Sequence, residues 1–495
     1  MSEKPSILAF EANRQTVKKS AVNSLLIQLL FKMKGIITVP IMTYFMLPSE
    51  MGIFNLVIVT ASMLTPLFSM NLTDGPAIFL VQERSQQRIR DMYNTVFNAS
   101  LAFSLVFTVL LYAATVIFKR EYLPYLHLVI LTILSGVIYK LYSYILAVFQ
   151  KTTELVRNTL VKDGLATLLS IILVVAGFSY GGLIAAVVVS NLMAGFLVYR
   201  LTRRDLPYRA KIDGHILAGF LKMALPLLPV FFFSWVIQSS NSYFLAFYLD
   251  EGAVGKYAVV YGLTNIILTL TFALNFFWFP VSARMWVEDR ENYRKVFSAI
   301  FSGFLTVLLP AVILFELNAK VIMQVFVRKA EYHDAYVIIG TMAFAFAQQV
   351  LITLLTAPLY SNKNSNFILL SYVIGGSVSI ALNFLLIPLI GIMGAAVSTS
   401  ISYLLVVVSM SYFNYRVASF HFLDGRLFYL ATAFFAAWAV VLRLKDYLGT
   451  LTPIILDVPL ILALGAMLYF LFINAGERLY LRGLLRDLLP GRARA

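Results

Sequence analysis

Apolar runs of roughly 20 to 30 residues follow one another along almost the whole chain, separated only by short polar links. No other feature limits the fold so severely, because a run of that length crosses the hydrocarbon of a bilayer as a helix. Charged residues make up 13% of the sequence and hydrophobic residues 60%, whereas a soluble domain carries about 25% charged residues. The expected fold class is therefore all-α, a polytopic membrane protein of about fourteen transmembrane helices. We place them at about residues 18–46, 53–81, 94–118, 123–149, 156–177, 182–200, 217–248, 254–283, 297–317, 334–360, 366–389, 392–415, 427–444 and 453–474. Prolines within these runs, at Pro40, Pro66, Pro226, Pro229 and Pro310, predict bent helices. The links leave no room for a soluble domain of ordinary size, which argues against an enzyme acting outside the membrane.

Residues 1–20 are polar and the following run is too long for a signal-peptide core, so the first helix is expected to act as its own insertion signal. With both termini cytoplasmic, basic residues fall mainly on that side, roughly three for every one outside. The densest groups are Arg200, Arg203, Arg204, Arg209 and Lys211, and Arg478, Arg482, Arg486, Arg492 and Arg494. The net charge of +15 is then explained by topology and contact with anionic membrane lipids, and no nucleic-acid partner is expected. Cysteine is absent, and His127, His215, His333 and His421 lie far apart. No metal site and no cofactor are expected.

The chain carries an internal duplication. Phe45-Met-Leu-Pro-Ser-Glu-Met-Gly-Ile-Phe54 opens the second expected helix, and Phe247-Tyr-Leu-Asp-Glu-Gly-Ala-Val-Gly-Lys-Tyr257 opens the eighth. Gly182-Leu-Ile-Ala-Ala-Val187 and Gly391-Ile-Met-Gly-Ala-Ala396 form a second pair at nearly the same offset. The offset covers six helices, an even number, so the copies have one orientation and form parallel repeats. The expected organisation is a six-helix lobe at 1–211, a second at 212–416, and an extra helix pair with a basic tail at 417–495. Two such lobes facing a central cavity suit transport by alternating access.

Five basic residues fall within spans: Lys32, Lys34, Lys140, Lys162 and Lys222. A charge at the centre of a spanning helix costs about 2.5–3.5 kcal/mol on insertion scales, so such residues usually face a water-filled cavity. Lys222 is close enough to a helix end to snorkel. Lys32 is beyond such reach, and Lys34 lies 200° around an ideal helix from it. Lys32, Lys34, Lys140 and Lys162 are the candidate site for an anionic group. Asp74 and Asp163 are the intramembrane acids, able either to neutralise a lysine or to couple an ion. The second repeat has neutral polar residues instead. Asn241, Asn265, Gln348 and Gln349 are candidates for contact with sugar hydroxyls, with bonding between helices as the alternative. Between expected helices nine and ten, Asn318 to Tyr332 alternates apolar and charged residues and reads as a short interfacial helix.

Leu47-Pro-Ser-Glu-Met-Gly-Ile-Phe-Asn-Leu56, Ala224-Leu-Pro-Leu-Leu-Pro229, Glu251-Gly-Ala-Val-Gly-Lys-Tyr257, Val325-Phe-Val-Arg-Lys-Ala-Glu-Tyr332 and Gly391-Ile-Met-Gly-Ala-Ala396, taken in order, resemble the polysaccharide transporter branch of the multidrug/oligosaccharidyl-lipid/polysaccharide exporter superfamily. That branch includes the Wzx-like O-antigen flippases. The resemblance implies a multi-pass protein of a bacterial inner membrane that flips undecaprenyl-pyrophosphate-linked oligosaccharide, an O-antigen, capsule or exopolysaccharide unit, and that works beside a glycan polymerase. It places the pyrophosphate on Lys32, Lys140 and Lys162. The chain departs from many relatives in having Asn241-Ser242 where they carry an Asp-Arg pair.

Other functions remain in view: a lipid II-type flippase or a drug/cation antiporter of the same superfamily, or a membrane glycan polymerase or ligase. An antiporter for cations would need buried carboxylates more than buried lysines, and a polymerase would need a large outer loop. No Gly-x-x-x-x-Gly-Lys-Ser/Thr motif occurs, so an ion gradient or the membrane potential is the expected energy source.

Overall fold

The structure is a computed structural model and describes residues 34–73, 80, 83, 85–118, 120, 123–149 and 151–418. Their regular secondary structure is helical, with no strand among the described residues. Eleven helices among them are long and apolar enough to cross a membrane, and they correspond to the second through twelfth expected spans. The first expected span is described only from Lys34, and those at 427–444 and 453–474 lie outside the described residues.

In chain order the elements are α1 (Lys34–Phe45), α2 (Pro48–Phe68), α3 (Gln86–Phe118), α4 (Leu123–Val148), α5 (Thr152–Val175) and α6 (Ser179–Thr202). There follow α7 (Gly214–Ala224), α8 (Leu228–Ser239), α9 (Asn241–Tyr248), α10 (Glu251–Thr264), α11 (Thr269–Ala273) and α12 (Phe279–Glu288). The last described are α13 (Arg290–Leu317), α14 (Ala319–Phe326), α15 (Ile339–Ser361), α16 (Ser365–Ile390) and α17 (Ile392–Ala418).

Helix ends follow polar chemistry that a hydropathy reading passes over. The Asp289 carboxylate accepts from Asn292 N at 3.0 Å, and α13 starts at Arg290 rather than near residue 297. The Glu50 carboxylate accepts from Leu47 N at 2.7 Å behind Pro48 in the first turn of α2. That helix stops at Phe68, short of the expected residue 81, because Met70 and Asn71 adopt left-handed backbone with φ of 49° and 52°. The expected span 217–248 is interrupted by a 3₁₀ turn at Leu225–Leu227 and breaks at Ser240. The span expected at 254–283 is the most irregular. It passes from α10 through a 3₁₀ turn at Asn265–Leu268 and a π turn at Leu274–Trp278 before α12. The segment expected at the interface contains the eight-residue helix α14, followed by 3₁₀ backbone over Ala330–Ile338.

The described residues divide into two compact units, one running up to Trp235 and including Leu245–Ala258, the other comprising Val236–Phe244 and the part from Val259 on. In the first unit α4 is the central helix, with Ile133, Leu141 and Ile145 fully buried among α2, α3 and α6. Trp235 joins this unit by donating its indole N–H to Ser62 Oγ at 3.1 Å. In the second unit the equivalent place belongs to α15, which packs against α13 and α17 and buries Met342, Phe346, Val350 and Leu354. The carboxylate of buried Glu316 in α13 occupies the notch left by Gly340, so a side chain there has no room.

Candidate functional site

The lysines of the first unit lie on helices packed by ordinary apolar contacts. Tyr139 and Lys140 are neighbours in α4, and Lys162 and Asp163 are neighbours in α5. The two helices run antiparallel and place the Lys162 ammonium over the Tyr139 ring, 4.8 Å from its centroid. The same ammonium lies 3.4 Å from Asp163 Oδ1. Lys162 and Asp163 keep 25% and 27% of their side-chain surface exposed, although they sit near the middle of a helix long enough to span the bilayer. An intramembrane charge usually faces a bundle interior or a water-filled cavity and pairs with an opposite charge, and the pairing is met here. Lys140 is half-buried one residue from the Tyr139 contact.

Lys34 opens α1, and only its backbone is described. Met42, Met46 and Val174 share one small apolar cluster, which ties the end of α1 to the end of α5. Lys34 precedes Met46, and Lys162 precedes Val174, by the same twelve positions. As first and fifth spans the two helices run in one direction, so both positions lie about 18 Å along the helix from that cluster, at a common depth. Lys32 and Asp74 lie outside the described residues. Lys222 is exposed in the last turn of α7.

Two residues near this group were not singled out as candidates from the sequence. Tyr139 seats Lys162, and its adjacency to Lys140 was the signal available. Asn158 lies one turn before Lys162 on the same face of α5; it is 5% exposed and neither polar atom of its amide has a partner. A single Asn in an apolar run carries no such information by itself.

The amides of the second unit separate into two kinds. Asn241 is fully buried: it donates to Thr399 Oγ1 at 2.6 Å and accepts from Asn383 Nδ2 at 2.6 Å, a relay joining α9, α16 and α17. Gln348 is also interior at 3% exposure, and neither end of its amide has a hydrogen-bond partner. Asn265 and Gln349 keep part of their surface. The 3₁₀ turn carrying Asn265 packs against α15, the helix of Gln348 and Gln349. The nearby Tyr261 ring meets Phe346 edge-on at 5.0 Å, and its hydroxyl accepts from Gln238 Nε2 at 2.9 Å.

A sequence model of the family described as polysaccharide biosynthesis protein matches residues 17–286, more than half of the 495 residues. No curated protein matches the chain by sequence. Among solved structures, the fold is similar to that of the lipid II flippase MurJ in an inward closed conformation. The TM-score is 0.70 at 14% identity, covering 94% of this chain and 99% of that one. An inward-facing multidrug resistance MATE family transporter of the MOP superfamily gives 0.57 at 14% identity over 80% of this chain and 98% of that one. MATE in a straight conformation gives 0.58 at 14% identity over 83% and 99%.

Proposed function

The chain belongs to the polysaccharide biosynthesis protein family, in the polysaccharide transporter branch of the multidrug/oligosaccharidyl-lipid/polysaccharide exporter superfamily, and from that membership we propose that it is a flippase for polyprenyl-diphosphate-linked oligosaccharide. The observation that carries this reading is the pair of Lys162 and Asp163, 25% and 27% exposed inside a spanning helix, with Tyr139 under the Lys162 ammonium and Lys140 next to Tyr139 along α4. The cargo has a diphosphate, a glycan and a long hydrocarbon tail. Only the first two need a polar route.

Lys140 and Lys162 engage the diphosphate, joined by Lys34 at the same depth and by Lys32. In the resting state Asp163 neutralises Lys162, which avoids an uncompensated charge in a medium of low dielectric. A diphosphate that draws Lys162 away leaves Asp163 in need of a counter-ion. A proton or metal cation running down its gradient supplies it, and this ties cargo binding to the energy source; Asp74 is the second candidate for that role. Glycan hydroxyls are met by Asn265 and Gln349, whereas Asn241 and Gln348 belong to the packing of their unit. The tail stays among the lipids while the two six-helix repeats, residues 1–211 and 212–416, rock to open one side and then the other. The membrane is the bacterial inner membrane with both termini cytoplasmic, and the flipped unit passes to a glycan polymerase.

The test is flipping of a fluorescent undecaprenyl-diphosphate oligosaccharide by the full chain in proteoliposomes, with Lys140→Ala and Lys162→Ala beside the native protein. Loss of flipping in folded variants supports the reading. Native rates in both sink it. A lipid II-type cargo is the second reading, favoured by a fold likeness to the lipid II flippase that extends over 94% of this chain; the same assay with lipid II separates the two.

A further inference from the structure

The link between α6 and α7, residues 203–213, would be a free tether if sequence composition alone governed it, for it is polar and carries four cations. It is instead tied to the second, third and fourth turns of α3. Arg90 Nε donates to Asp205 O at 2.9 Å. The Asn94 amide donates to Pro207 O at 3.2 Å and accepts from Arg209 N at 2.8 Å. One turn later the Asn98 amide donates to Arg209 O at 2.7 Å and Lys211 O at 3.1 Å, and Thr95 Oγ1 accepts from Asp213 N at 3.2 Å. Leu206 is buried in the apolar core of the first unit at 3% exposure, and the Tyr208 ring meets Phe97 edge-on at 5.8 Å. Asp213 then caps α7 through His215 N and Ile216 N. Backbone groups that water could have satisfied are thus held by side chains of a neighbouring helix, which fixes the course of the link.

What this fixed backbone presents is positive and partly apolar. Arg203, Arg204, Arg209 and Lys211 are exposed, and none forms an ion pair with a carboxylate among the described residues. Arg200 precedes them in the last turn of α6. Between and beside the cations, Leu201, Tyr208 and Ile212 are 48%, 58% and 46% exposed. The link joins two spanning helices over eleven positions, so it must lie at the bilayer surface, where phosphate headgroups meet the first methylenes.

We propose that residues 200–212 form a preorganised docking surface for anionic phospholipid headgroups, with α3 as the splint that holds the cations in place. The occupant is the membrane lipid, not the transported cargo, because the cations alternate with exposed apolar side chains in the plane of the interface, the pattern of a surface lying on lipid. The inference does not depend on which glycan is carried.

The test uses the full chain purified in a neutral detergent and titrated with fluorescent phosphatidylglycerol and phosphatidylcholine. Native protein should prefer phosphatidylglycerol, with the preference reduced by salt. Each cation removed should weaken that preference by about fivefold, so Arg203→Gln, Arg204→Gln, Arg209→Gln and Lys211→Gln together should abolish it. Asn94→Ala with Asn98→Ala keeps every charge and frees the link; it should lose a large part of the preference while retaining the elution profile of the folded protein. An unchanged preference in the four-Gln variant overturns the proposal. So does native binding by the Asn94/Asn98 variant, since charge without a fixed backbone would then suffice. Farnesyl diphosphate serves as the cargo headgroup: if its binding, and not that of phosphatidylglycerol, is lost with the four cations, the surface serves the cargo and the proposal fails.

Discussion

Gly52 and Gly255 occupy equivalent places in the two copies of the duplicated motif, and each makes room for a carbonyl of the other segment. A Cβ on Gly52 would fall on the carbonyl of Glu251, and a Cβ on Gly255 on that of Pro48, 3.0 Å from Gly52 N. The offset is 203 residues for both pairs, 48 to 251 and 52 to 255, which is the offset of the duplicated motif. The first turns of α2 and α10 therefore cross as a reciprocal pair at backbone contact, a spacing that only glycine permits. The second repeat match has a similar basis with a small change of register. Gly182 packs on Leu173 of the preceding helix, and the residue doing the same in the second copy is Gly394 on Leu386, three positions beyond Gly391.

Alanine at either glycine should force this crossing apart. Overpacking of a close contact costs about 1–3 kcal/mol, so Gly52→Ala and Gly255→Ala are each expected to lower the Tm of the purified protein by several degrees. The double variant should cost less than the sum, since one separation of the helices relieves both clashes. Strict additivity in thermal unfolding would speak against a shared crossing.

Lys162→Ala removes the cation that faces both Tyr139 and Asp163. Bonds to charged groups contribute about 1.5–3 kcal/mol, so flipping should fall by about tenfold or more with the fold intact. Tyr139→Leu, which removes only the cation–π contact worth about 0.5–2 kcal/mol, should have a smaller effect in the same proteoliposome assay.

Asp163→Asn keeps the volume and removes the charge. If Asp163 couples an ion, downhill flipping persists and no longer responds to an imposed gradient. A variant that still accelerates when the gradient is applied would assign the coupling elsewhere, with Asp74 next to be changed.

Asn241→Leu strands the Asn383 amide in a dry core, at about 1–3 kcal/mol for a polar group left unsatisfied, while Thr399 keeps its bond to Ala395 O. The expected result is a lower Tm, with flipping per folded molecule near native. Gln348→Leu should do the opposite, raising Tm, because neither end of the native amide has a partner. A Gln348→Leu protein that is stable yet inactive would mean the amide is used in another conformation.

The cap at Asp213 predicts a pH dependence. Backbone N–H bonds from Ile216, then from His215, together with the nearby Lys211, hold its carboxyl below the ordinary value. A lowered pKa in the folded state contributes stability that is present above the unfolded value and disappears as pH falls through the folded one. Asp213→Ala should therefore be less stable than native at pH 7, and the difference in Tm should close in strong acid.

Much of the architecture could be read from the chain. Helical class and the placement of spans two to twelve follow from apolar run lengths, because a bilayer leaves an apolar run of that length few alternatives. Helix ends were less legible. α13 begins before its apolar run because Asp289 starts it in polar sequence, and the span around residues 254–283 loses regularity at Asn265–Leu268 and Leu274–Trp278 with no local signal beyond Pro280.

For the site, the sequence determined which residues carry charge in an apolar setting: Lys34, Lys140, Lys162 and Asp163 are conspicuous wherever they fold. Tertiary structure decided what each of them meets. Tyr139 reaches Lys162 only through the antiparallel register of α4 and α5, and Asn241, Asn383 and Thr399 find one another across separations of 142 and 158 residues. Run length is a property of one segment against its solvent, while partnership depends on the rotation and register of two helices, and a few ångströms of either exchanges one partner for another.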